Sequence, residues 1–184
     1  MRKCYLYAGM FALLVTISLR VAYAEEKREE KRMAAQSSQD LKNTFIGTWK
    51  LVSAEAQQPN GAVIPYRYGA GSIGYIMYDA TGHVAVQIMQ PNRPQFASGD
   101  LDKGAPEEIK AAFEGYGAYF GTYEIHEAEG FVIHHVEGSL FPNNVGTEQK
   151  RFFEFSGDKL ILKPPPRQVG GEQVAPRITW QRVK

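Results

Sequence analysis

Cysteine is almost missing from this 184-residue chain: one occurs, at position 4. Beyond it the sequence offers no thiol for a disulfide, for thiolate catalysis or for a sulfur-ligated metal site. An excess of one charge is also missing, with 21 Lys and Arg against 20 Asp and Glu. A chain so balanced has no electrostatic footprint for nucleic acid, and none is expected as a partner. Long hydrophobic runs are scarce. The longest, Tyr5 to Leu19, is mostly apolar over about 15 residues, short of the ~20 that span a bilayer. There is no G-x-S-x-G elbow, no C-x-x-C-H haem attachment and no zinc spacing, and no internal repeat. No metal and no cofactor are expected.

What is present begins with a leader. Arg2 and Lys3 form a positive start, the apolar run follows, and Ala22-Tyr23-Ala24 precedes Glu25 as an A-x-A cleavage site. The pattern predicts residues 1–24 to be a signal peptide cleaved after Ala24, and export to a periplasm or the outside, with no stable membrane span after processing. Loss of Arg2, Lys3 and Arg20 leaves 18 basic residues against 20 acidic ones, a formal charge of −2 where the full chain has +1. Residues 25–40, EEKREEKRMAAQSSQD, are charged and then small and polar. They read as a linker, either a solvated helix or a disordered tether.

From about Leu41 the composition changes. At 43% hydrophobic and 12% aromatic, the remainder suits one domain, 41–184, with a sizeable core. Gly47 to Ala54 alternates as a strand, and Gln58-Pro59-Asn60-Gly61 is a turn. Ser72 to Asp79 and His83 to Met89 read as a hairpin across Ala80-Thr81-Gly82. Pro106, followed by Glu107 and Glu108 where a helix dipole favours anions, opens the one convincing helix, with Ile109, Ala112, Phe113, Tyr116 and Phe120 as its apolar stripe. Gly121 to His126 and Phe131 to Glu137 alternate on either side of Glu127-Ala128-Glu129-Gly130. Thr147 to Phe155, Lys159 to Lys163 and Arg177 to Val183 complete the set. About eight short strands, hairpin-length turns and a single helix predict a mainly all-β fold, a small closed antiparallel barrel in which closure removes the sheet edges.

Five segments in order carry a family resemblance: Gly47-Thr48-Trp49-Lys50-Leu51-Val52-Ser53; Gly74-Tyr75-Ile76-Met77-Tyr78 with Gly82-His83; Pro91-Asn92-Arg93-Pro94; Phe113-Glu114-Gly115-Tyr116; and His134-His135-Val136-Glu137-Gly138-Ser139-Leu140-Phe141-Pro142-Asn143. From about Leu41 to Val183 the chain resembles the bacterial and fungal lipocalin-like domain family. Its G-x-W start is similar to that of true lipocalins, whose tryptophan closes one end of the barrel. Asn144 departs from the aromatic usual at that place. The resemblance implies a calycin-type barrel with an internal cavity open at one end. It implies no settled activity, since most members are uncharacterised and some lie beside biosynthetic genes.

Candidate site residues come from the strand faces. A period of two puts Phe131, Ile133, His135 and Glu137 on one face and Val132, His134 and Val136 on the other, so either choice brings a histidine inside. His135 and Glu137 are neighbours on their face and supply a base with an orienting carboxylate, or a buried pair that satisfies itself. Adjacent histidines on a strand diverge and cannot share one metal ion. In the strand from His83, the small and polar face with Gln87 reads as ligand lining, and the branched face, Val84, Val86 and Ile88, as packing. Arg151, on a face with Gln149, Phe153 and Phe155, needs a carboxylate partner from the protein or a ligand if it lies inside. Tyr66, Tyr68, Tyr75, Tyr116, Tyr119 and Phe141 suit a mouth or lining that stacks on a flat ligand. The expectation is an exported barrel binding a small hydrophobic or amphipathic molecule through Tyr75, Gln87, His135, Glu137, Arg151, Phe153 and Tyr116. The alternatives are an isomerase or cyclase using His135 and Glu137, and an envelope protein whose barrel interior is filled.

Overall fold

The computed structural model describes residues 4–184, with side chains described at Arg20 and from Tyr23 onward. Arg2 and Lys3, the positive start of the expected leader, lie outside the described residues, as do the side chains of its apolar run. The chain divides into two compact units at Thr44 and Phe45. The first is a helix, α1 (Cys4–Phe45), whose last residue already belongs to the second unit. From Glu25 to Asp40 its side chains are exposed and pair along the helix, Lys27 with Glu30 at 2.7 Å and Gln36 with Asp40 at 3.0 Å. Such pairs at i,i+3 and i,i+4 give a polar helix most of its support. Among the described residues, no helix is long and apolar enough to cross a membrane.

The second unit is a sheet closed on itself. Its strands are β1 (Gly47–Gln57), β2 (Val63–Pro65), β3 (Ile73–Tyr78), β4 (His83–Met89), β5 (Tyr116–His126), β6 (Phe131–Ser139), β7 (Glu148–Ser156), β8 (Lys159–Lys163), β9 (Arg167–Val169) and β10 (Glu172–Arg182). Eight of the ten form the ring β1-β3-β4-β5-β6-β7-β8-β10, and pairing of β10 with β1 closes it. The short β2 and β9 attach to the ends of β1 and β10. Gly170-Gly171 is the turn of the β9–β10 hairpin. The β3–β4 turn is pinned by Asp79, which accepts from the backbone of His83 and from Thr81. The His83 amide, then Thr81, pull its carboxyl down to about 2.

One end of the barrel is sealed by aromatics. Phe45 stands edge-on to Tyr78, Phe153 and Phe155 at 5.0–5.2 Å between centroids. Trp49 donates its indole N–H to the carbonyl of Phe45 at 2.9 Å. The Arg182 guanidinium lies 4.0 Å from the centre of the Trp49 ring and donates to the carbonyl of Ile46. Phe153, expected to touch ligand, belongs to this plug and does not line the hollow beyond it.

Helix α2 (Pro106–Glu114) starts at the expected proline, and Glu108 caps its N-terminus by accepting from the amides of Ala97 and Ala105. It is shorter than its apolar stripe, because Tyr116 and Phe120 already belong to β5. None of its residues is buried. Its C-terminal end is tied down by Arg93, which donates to the carbonyl of Ala112 at 2.8 Å and lies over the Tyr116 ring.

Candidate ligand cavity

The barrel is hollow beyond the aromatic plug. A cavity of about 530 Å3 opens at the end carrying α2 and the loop Tyr66 to Gly71, within the ~300–1,000 Å3 usual for small-molecule sites. The filled interior of the envelope-protein alternative is therefore not what the structure shows. Its walls are branched apolar side chains, among them Ile76, Val86, Ile88, Leu162 and Ile178. Tyr66, Tyr68, Tyr116, Phe113 and Phe141 stand in the upper lining. Of the six aromatics expected at a mouth or lining, only Tyr75 is elsewhere.

Strand parity places the polar residues, and it corrects several expectations. On β3 and β4 the inward set is Ile76, Tyr78, Val84 and Val86. Tyr75 is 43% exposed and Gln87, its cross-strand neighbour, is exposed as well. The branched face is the ligand-facing one, because a hollow that takes an apolar molecule must itself be apolar, while the solvated side of an antiparallel sheet takes the polar groups. On β6 the inward set is Val132, His134 and Val136. His135 and Glu137 are outside. His135 spans the outer faces of three strands, with Nε2 3.7 Å from Glu124 on β5 and Nδ1 3.5 Å from Glu148 on β7.

A bulge complicates this strand. Between Phe120/Gly121 on β5 and Gly138/Val136 on β6 the register slips by one, leaving Glu137 as the extra residue. One extra residue reverses the alternation beyond it. Ser139, which unbroken alternation puts on the His135 face, therefore lines the cavity. Gly121 permits the crossing: a Cβ there would strike the backbone of His135 and Glu137.

The histidine inside is His134, 1% exposed and held at both ring nitrogens. The Tyr78 hydroxyl is 2.9 Å from Nε2 and the Tyr119 hydroxyl 2.8 Å from Nδ1. Burial pushes its pKa well below the ordinary histidine range, and the nearby charges of Arg151 and His135 act the same way. The imidazole is neutral, so one tyrosine donates to it and the other accepts from it. Burial raises both phenols, Tyr78 and Tyr119, above their usual range, while Arg151 partly opposes the shift. Only Tyr119 of the three faces the cavity.

Arg151 lies on the inner face of β7 and lines the cavity together with Gln149. Its Nη1 donates to the carbonyl of Lys150 at 2.7 Å and its Nη2 to Oε1 of Gln149 at 3.2 Å. Gln149 in turn donates to Thr147. Of the expected site residues, Arg151 and Tyr116 border the cavity; Tyr75, Gln87, His135, Glu137 and Phe153 do not. His134 and Tyr78 were missed as a polar cluster. Their signal was His134 between two valines, since valines two apart mark the buried face of a strand. Asn144 stands in the lining and donates its amide to Ser139.

Comparison with known proteins agrees with this architecture. The lipocalin-like domain profile matches residues 46–183, which is the whole barrel. A curated relative, the 4'-hydroxy-3'-methoxypropiophenone carrier protein ppsC of Aspergillus oryzae, is 31% identical over 107 residues, covering 54% of this chain and 96% of the relative. With its closed eight-strand ring, its tryptophan-sealed end and that match, the chain belongs to the lipocalin-like domain family.

Proposed function

We propose that this protein is a binding or carrier protein that takes a small hydrophobic or amphipathic molecule into the barrel. The observation that carries the proposal is the cavity itself: about 530 Å3, walled by branched side chains, crowned by aromatics, and supplied with few polar groups. That composition holds an apolar body by area and orients it by a small number of polar contacts. A relative described as the carrier of a hydroxylated, methoxylated aryl ketone supports an aromatic body for the ligand here. Aromatic side chains such as Tyr66, Tyr68 and Tyr116 offer large contact area with polar tips.

The isomerase or cyclase alternative loses the two residues expected to carry it. His135 and Glu137 face outward, and His134 has both nitrogens occupied by tyrosines and does not border the cavity. Export is part of the proposal, resting on the leader pattern around Ala22-Tyr23-Ala24. N-terminal sequencing of the protein recovered from its own compartment checks it, a start at Glu25 supporting export and a retained leader opposing it.

Native mass spectrometry of the protein from its own cells tests the binding. A bound small molecule that dissociates on Ile88→Trp, a substitution that fills the upper cavity, supports the proposal. Equal retention of that molecule by the variant and the wild type would place it elsewhere.

A further inference from the structure

We propose that the ligand is an organic anion, an aromatic carboxylate or acidic phenol, whose charged end is received at the inner wall by Arg151 with the hydroxyl of Tyr119 beside it. The proposal rests on small-molecule binding in this cavity and adds the chemical class of what is bound.

Among the described residues, no carboxylate pairs with Arg151. Its guanidinium meets only neutral acceptors among them, the Lys150 carbonyl, the Gln149 amide and the Tyr119 hydroxyl. A guanidinium has five N–H donors, so donors are left over for something in the hollow. The one acidic residue in the lining is Glu114, which is at the mouth end of α2 and pairs with Lys110 at 3.9 Å. Against it stand Arg67, Arg151 and Arg167, the outer two lying over the rings of Tyr68 and Tyr66. A cation in a low-dielectric hollow is costly unless paired, and an entering anion supplies the pair.

Two further donors point the same way. With the His134 proton on Nδ1, the imidazole donates to Tyr119 and accepts from Tyr78, which frees the Tyr119 O–H to donate into the cavity. An anion beside Arg151 selects that tautomer. The positive field is already felt at this place, since Arg151 and Arg67 both oppose the rise of the Tyr119 pKa. Independently, the indole Nε1 of Trp180 is buried with no acceptor in reach among the described residues, on a side chain that lines the cavity. A carboxylate or phenolate is acceptor-only and matches the spare N–H donors of Arg151 and the hydroxyl of Tyr119.

The test is calorimetric titration of the intact protein with two matched probe pairs, 2-naphthoate against methyl 2-naphthoate and 4-hydroxycinnamate against its methyl ester. The expected result is an acid bound at least tenfold more tightly than its ester. That preference should be lost in Arg151→Met and retained in part by Arg151→Lys. Tighter or equal binding of the esters to the wild type overturns the anionic class and leaves carrier function standing. Failure of all four probes to bind removes carrier function as well. The wild-type comparison needs no variant, so a misfolded Arg151→Met leaves it decisive.

Discussion

His134 illustrates how an apolar barrel keeps a polar side chain at low cost. Both its nitrogens are satisfied by tyrosine hydroxyls, so replacing it with leucine strands the buried Tyr78 phenol and takes one partner from Tyr119 at the cavity wall. Each group left without a partner costs about 1–3 kcal/mol. His134→Leu should therefore lower stability by about 1–3 kcal/mol in urea unfolding, whereas His135→Ala, outside, should stay within about 0.5 kcal/mol of wild type. The depressed pKa also has a pH signature. Above pH 6.5, the ordinary histidine value, neither folded nor unfolded state holds the proton and the contribution is complete. As pH falls below that value the unfolded chain takes up a proton that the native state, with Tyr78, Tyr119 and Arg151 around the ring, resists. Stability should fall from about pH 6.5 downward, before the carboxylates titrate, and His134→Gln should flatten that part of the curve. An unchanged slope would mean that the imidazole is protonated in the fold.

At the scale of elements, the mouth depends on a contact between a loop and a strand. The backbone of Arg67 has φ 56, in the left-handed region, and the loop it bends brings the Tyr68 hydroxyl against Gly117 at the start of β5. A Cβ at Gly117 would collide with that hydroxyl. The colliding atom is the far end of a side chain that can swing away, so Gly117→Ala should cost little stability. It should move Tyr68 at the mouth and change the rate of ligand release in stopped-flow measurements by severalfold. An unaltered rate would show that Tyr68 does not gate the cavity. Elements were also what the sequence disclosed best. Period-two alternation and the Ala80-Thr81-Gly82 turn locate β3, β4, β7 and β8 to within a residue or two. Alternation divides residues into two faces without saying which is inside. The choice went astray because large aromatics also stand outside: Phe131 and Phe152 are covered by the Lys150 ammonium, 3.6 and 5.0 Å from their rings. The β6 bulge was invisible for a related reason, since an inserted residue leaves no local mark when Glu137 and Gly138 suit either phase. Arg151 was legible because β7 has no such break and its Phe153 and Phe155 fix the inner face.

For the whole molecule, closure and hollowness are separate achievements. The ring closes through β1 and β10, and one end is plugged by Phe45, Trp49, Phe153 and Phe155. Phe45 is the final residue of α1 and is fully buried in the barrel unit. Phe45→Ala should cost about 3–5 kcal/mol, read as a lowered urea midpoint with the β-sheet circular dichroism retained. Beyond the plug the barrel gives up packing for a cavity, and that trade is intelligible only if something enters it. The most direct check is a chemical-shift map of the isotope-labelled protein titrated with 2-naphthoate. Shifts clustered on Val86, Ile88, Tyr119, Arg151 and Ile178, with Tyr75, Gln87, His135 and Glu137 unmoved, are the expected result. Shifts concentrated on those four outer residues, with the inner wall silent, would contradict it.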